Sequence, residues 1–304
     1  MRPRATALPR YLAACLTLAG CIAHNPKRET TPMTTSTTLL QRGHAQVRGI
    51  SLYYELHGRS QGTPLVLLHG GGSSIDVTFG RALPFLARQR SVIALDEQNH
   101  GRSGHRDVPE RFTESADDVA ALLHHLGIEQ ADVLGFSNGA SVALQVAIRH
   151  PGLVRKLVFI SSLTKRSGAP EQFWQAMRTG SYEDMPQAFK DAFLAVNPDQ
   201  ALLSDMYEKD SERMVNFVDT SDDDVRSVRV PTLILAGDRD VATAEHTVEL
   251  SRLFPSAQLA ILPGRHGECI GELPIKPGSS PYPELTIRLI EAFLDAPDEP
   301  PQPR

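Results

Sequence analysis

The chain has 304 residues, 41% of them hydrophobic and 22% charged, with a net charge of −5. That length accommodates one large α/β domain or two small ones, and the apolar share supports a sizeable core. The body of the chain carries no long Lys/Arg run, which argues against nucleic acid as its main partner. The three cysteines, Cys15, Cys21 and Cys269, suit neither a zinc site nor a disulfide framework.

Residues 1–10 hold Arg2, Arg4 and Arg10 and no acid, and Tyr11–Ala19 (YLAACLTLA) is an apolar run too short to span a bilayer. The run ends in Leu18-Ala19-Gly20-Cys21, which resembles the lipobox of bacterial lipoproteins. The resemblance implies that residues 1–20 are a signal peptide and that Cys21 receives a lipid. The protein would then sit in the bacterial cell envelope on a lipid anchor, outside the cytoplasm. Two alternatives stand beside it: a plain secretory peptide, or translation from Met33 to give a cytoplasmic protein. Residues 21–44 are Thr-rich with little apolar content and read as a disordered tether.

From residue 45 short apolar runs alternate with amphipathic stretches. Gln46–Leu56 alternates like a strand and suggests a hairpin around Arg48-Gly49. Leu65–Leu68 and Ser91–Leu95 are buried-strand runs, each followed by a glycine-containing loop. Ser115–Leu126 reads as a helix, with Ser115 and Asp118 at capping-box spacing. Ala131–Phe136 is a strand, Asn138–Arg149 a helix stopped at His150-Pro151, and Leu157–Ile160 the next strand. Residues 161–229 show helical spacing through Phe173, Trp174, Met177, Phe189, Phe193 and Val196, and are read as an inserted helical cap. Strands Thr232–Ala236 and Gln258–Leu262 and a helix from Tyr282 to Leu294 follow; residues 296–304 read as a disordered tail. Wholly apolar strands separated by helices predict an α/β fold with a mostly parallel, helix-covered sheet. Its core comprises residues 45–160 and 230–295.

Gly135-Phe136-Ser137-Asn138-Gly139 fits G-x-S-x-G, where a serine sits on a strained turn between a strand and a helix. A nucleophilic serine needs backbone donors for the developing oxyanion, each worth about 3 kcal/mol. His69-Gly70-Gly71-Gly72 follows an earlier strand, so Gly71 and the amide of Asn138 are the candidate donors. The serine also needs a base and an orienting carboxylate, in chain order serine, acid, histidine. His266, in Pro263-Gly264-Arg265-His266-Gly267 after the last strand, is preferred to His246, which is read as part of an exposed helical face. Asp238 and Asp240 both follow strand TLILA and both remain candidates for the acid. Asp222-Asp223-Asp224 is read as a solvated charge run.

Together the loop HGGGSS, the elbow GFSNGA, the acid loop AGDRD and the base loop PGRHG resemble the α/β-hydrolase superfamily, in particular its small capped esterase-like members. The likeness spans residues 45–295. It implies Asp240 as the acid, because the family's acid falls three residues after the glycine of G-x-x-D. Asp96–Ser103 (DEQNHGRS) resembles the family's D-x-x-G-x-G-x-S loop, with Asn99 replacing its first glycine; Ala244 stands where many relatives have proline. The resemblance implies a serine hydrolase acting on a small carboxylic ester or related acyl substrate, with no metal or organic cofactor. A C–C bond hydrolase of the meta-cleavage-product type, a perhydrolase and a non-catalytic ligand-binding protein on the same fold are the alternatives.

Overall fold

The computed structural model describes residues 39–58 and 62–297. The expected signal peptide, Cys21 and most of the tether lie outside them, as do residues 298–304. Among the described residues an eight-stranded sheet runs in the order β1-β2-β4-β3-β5-β6-β7-β8. A hairpin of β1 (Leu39–Val47) and β2 (Ile50–Gly58) pairs antiparallel with β4 (Ser91–Leu95). Arg48 and Gly49 make its turn with positive φ of 46° and 84°. The strands β3 (Leu65–Leu68), β4, β5 (Ala131–Phe136), β6 (Val154–Ile160), β7 (Thr232–Arg239) and β8 (Ala257–Arg265) are mutually parallel.

Parallel strands are buried on both faces, and successive residues supply the two faces alternately. Val66 and Leu68 enter one core with helices α3 (Phe112–His125), α4 (Asn138–Arg149) and α9 (Ala244–Leu253). Leu65 and Leu67 enter the other, against α1 (Ile75–Phe79), α2 (Leu83–Leu86) and α10 (Tyr282–Asp295). The α10 end is held from inside the sheet: Lys156, 1% exposed, donates from Nζ to the carbonyls of Phe293 and Leu294 at 3.2 Å and to that of Ala296.

Between β6 and β7 lie α5 (Glu171–Thr179), α6 (Gln187–Val196), α7 (Gln200–Val215) and α8 (Asp222–Ser227). They carry two small cores of their own, one around Trp174 and Phe217, the other around Met185, Phe193, Leu203 and Met206. No helix of the described residues is long and apolar enough to cross a membrane.

Two expectations need correction. Residues 39–44, read as tether, form the start of β1; this edge strand is mostly exposed and is held by backbone pairing to β2, so it needs little apolar content. The helix expected from Ser115 begins at Phe112, and no capping box forms. Ser115 and Asp118 are buried within it, and Asp118 instead accepts from Arg48 Nε at 2.8 Å and Arg106 at 3.0 Å. The half-buried Phe112 packs on Phe217 in the first turn, ring centroids 6.2 Å apart, so the helix starts before the expected cap at Ser115.

Candidate active site

Ser137 joins β5 to α4 with φ 55° and ψ −124°, a strained conformation for a residue with a side chain. The flanking glycines are what let the turn close. A Cβ on Gly135 would stand 2.1 Å from Gly139 O, and one on Gly139 2.2 Å from Leu68 O. As first residue of α4, Asn138 has a backbone N–H with no partner within the helix.

The parallel strands bring their C-terminal ends to one rim, where ligand sites of open α/β sheets lie. There the structure brings Ser137, His266 and Asp240 into one hydrogen-bonded chain. His266 Nε2 is 3.1 Å from Ser137 Oγ, and Nδ1 is 2.6 Å from Asp240 Oδ1. With Nδ1–H donating its hydrogen bond to the carboxylate, Nε2 is left to accept from the serine hydroxyl. The imidazole also packs on Phe136, centroids 4.9 Å apart.

Asp240 has a fully buried side chain and accepts from four directions. Oδ2 takes Ser161 Oγ at 2.6 Å and Gly237 N at 3.1 Å; Oδ1 takes Val241 N at 2.7 Å besides His266. Burial alone would favour its neutral acid, but the hydrogen bond and charge of His266 and the Ser161 hydroxyl hold it below the usual carboxylate range. Burial likewise works against protonating His266, yet the Asp240 hydrogen bond and charge, with Glu272 nearby, raise it above the ordinary 6.5. Asp238, its side chain 51% exposed, acts on the backbone instead, where its Oδ1 accepts Gly264 N at 2.7 Å and clamps the β8 end.

Gly71 and Asn138 line one cavity together with Ser137 and His266. Gly70 N is already committed to Thr78 Oγ1 at 3.2 Å. His69 is buried, accepts Glu97 N at Nε2 (2.9 Å) and faces Gly70 O through Nδ1 (2.8 Å), so it orders the loop. Burial lowers its pKa and keeps it neutral.

His246 is not on an exposed face as expected. It is 4% exposed, with Nε2 accepting Thr164 N at 3.1 Å, because the loop after β6 packs over that side of α9. Asp222–Asp224 form the first turn of α8, largely in solvent, as read. Asn99 takes φ 63°, a conformation asparagine tolerates where the family pattern has glycine. Two site residues were missed. Ser161, at φ 55°, carries no motif. Asp210 on α7 reads as one more surface charge, yet it is buried and accepts Asn138 Nδ2 at 3.0 Å.

The cavity encloses about 640 Å³. Leu163, Phe173, Met177, Met185, Phe189 and Phe217 make it largely apolar, and no lysine or arginine is among its lining residues. Its charged lining residues, His266 apart, are Asp184 and Asp210. Among the described residues, no group of three or more His, Cys, Asp or Glu is arranged to hold a metal ion.

Comparison with known proteins agrees with this fold. A family described as the alpha/beta hydrolase fold matches residues 63–197. The chain is 33% identical over 240 residues to the dihydrolipoyllysine-residue acetyltransferase component of an acetoin cleaving system from Pseudomonas putida, covering 72% of this chain and 62% of that one. It is 36% identical over 148 residues to an sn-1-specific diacylglycerol lipase of Xenopus laevis, covering 46% and 47%. The chain thus spans less than two thirds of either protein's length. A 2-hydroxy-6-oxo-2,4-heptadienoate hydrolase of Pseudomonas putida is 27% identical over 271 residues, covering 80% and 93%. With its parallel sheet, its strand-turn-helix serine and the family match over residues 63–197, the chain has the α/β-hydrolase fold.

Proposed function

We propose that the protein is a serine hydrolase of neutral carboxylic esters or related small acyl compounds. The carrying observation is the chain Asp240–His266–Ser137 opening onto a cavity walled by apolar side chains. In this reading Ser137 Oγ attacks the acyl carbon while its proton passes to His266 Nε2. The amides of Gly71 and Asn138 receive the oxyanion. Collapse breaks the ester bond, the leaving alkoxide takes the proton from Nε2, and water then cleaves the acyl-enzyme by the same route. Asp240 holds the imidazolium that forms at each stage.

The lining favours an ester over a ring-fission dienoate. A dienoate carries a carboxylate that asks for a cation, whereas the wall offers Asp184 and Asp210 and no lysine or arginine. The test is direct. p-Nitrophenyl acetate and butyrate should turn over, a ring-fission dienoate should not, and a fluorophosphonate should label Ser137. The reverse substrate preference would move the protein to C–C bond hydrolysis, and an unlabelled Ser137 in folded protein would make it a binder.

The pH profile follows from His266. Only neutral imidazole accepts the serine proton, and Asp240 raises the pH at which that form appears. On p-nitrophenyl butyrate, kcat/KM should rise with pH through a midpoint above 6.5 and fall away on the acid side. A rate that increases on acidification would contradict this role for His266.

A further inference from the structure

Asp210 is 8% exposed and reaches from α7 to the turn that holds Ser137. Its Oδ1 accepts from Asn138 Nδ2 at 3.0 Å and from Arg213. Its Oδ2 accepts no hydrogen bond among the described residues; the His100 ring nitrogen nearest to it is 3.8 Å away, beyond hydrogen-bond reach. Oδ2 lies against the Cα of Gly71, where an added Cβ would stand only 2.3 Å from it. Asp210, Gly71 and Ser137 all face the cavity. One carboxylate oxygen is therefore left without a donor, beside the proposed oxyanion position, in a mostly apolar chamber.

Although burial favours a neutral acid, the charge of Arg213, its hydrogen bond to Oδ1 and the nearby charge of His100 hold Asp210 ionised. His100, buried as it is, is pushed up to about 9 by Asp210 and Glu110. These two cations already face the charge, so the open oxygen calls for a neutral hydrogen-bond donor and not a further cation. Leaving such an oxygen unmatched under an apolar ligand is costly, and that cost is the basis of discrimination.

Resting on the ester reading, we propose that Asp210 Oδ2 selects acyl substrates bearing a hydroxyl or amide N–H on the carbon α or β to the reacting carbonyl. Simple alkanoyl esters fit the cavity but leave the oxygen unpaired. Hydroxyacyl and N-acylamino compounds satisfy it.

The experiment compares kcat/KM for p-nitrophenyl esters of butyrate, 3-hydroxybutyrate, N-acetylglycine and 3-aminobutyrate on the intact protein. The wild type should prefer the hydroxyl or the amide ester, or both, over butyrate by about 10- to 100-fold, the range of a hydrogen bond to a charged group. Whichever arm gains identifies the donor. In Asp210→Asn, of the same size, the ratio should fall towards one; thermal melting and the rate of fluorophosphonate labelling at Ser137 report whether the turn survives. Equal wild-type rates, preference for the ammonium ester alone, or a ratio unchanged in a folded Asp210→Asn variant would overturn the assignment. Label on Ser137 with equal rates leaves the ester reading standing without this selectivity. No label removes the ester reading itself.

Discussion

Replacing Ser137 with alanine is expected to lower kcat on p-nitrophenyl butyrate by about a million-fold, the loss seen when a hydrolase nucleophile that works as a unit with its base is deleted. The substitution removes one oxygen and leaves the cavity wall, the Asp240–His266 hydrogen bond and the amides of Gly71 and Asn138 in place. Binding should therefore persist, measurable by calorimetric titration with an ester that the variant does not cleave, and the melting temperature should stay within a few degrees. His266 keeps its Asp240 partner, so its raised pKa should survive in an NMR titration. Retention of more than a small fraction of the activity would place the attacking group elsewhere, on water or on another side chain.

The second large effect is expected at Asp240→Asn, where kcat should fall about ten-thousand-fold because the imidazole is held in the wrong tautomer. The new amide would offer its NH₂ to Nδ1 and drive the ring proton to Nε2, the atom that has to accept from Ser137. A second mismatch arises at the same atom, because Val241 N donates to Oδ1 and would face the new NH₂, while Ser161 Oγ and Gly237 N keep an oxygen to donate to. Asp238→Asn is the matched control. Its side chain is half in solvent and bonds a loop amide, so activity should remain within a few-fold of wild type. If the two variants behave alike, the orienting carboxylate has been misassigned.

That contrast also measures how much of the site could be read beforehand. The elbow was legible because its two glycines and one serine are steric requirements written in residue types; β5 and α4 on either side followed from apolar runs and helical spacing. The acid was not, since Asp238 and Asp240 have the same chemistry and differ only in which way the chain turns after β7. Family spacing chose between them; periodicity could not. His246 misled for a related reason: helical spacing shows which face of α9 is polar but not that the loop carrying Thr164 lies over it. Asp210 gave no signal at all. In α7 it is one of several charges, and only the packing of that helix onto the elbow turns it into a buried group. Residues 39–44 of the edge strand β1 escaped notice because their apolar content is low, while the central strands, buried on both sides, announced themselves.

The placement of β8 at the far edge has a consequence for biosynthesis. Ser137 and His266 lie 129 positions apart, and the histidine arrives directly after β8, which pairs with β7 alone. Lys156 in the middle of the sheet likewise waits for carbonyls that emerge at residues 293–296. A chain still growing on the ribosome thus carries its serine through 129 residues of synthesis before the imidazole is added, and on the proposed mechanism a product broken off in that interval is inert. On the proposed mechanism, competence comes late in synthesis, once β8 and the loop after it have joined the sheet.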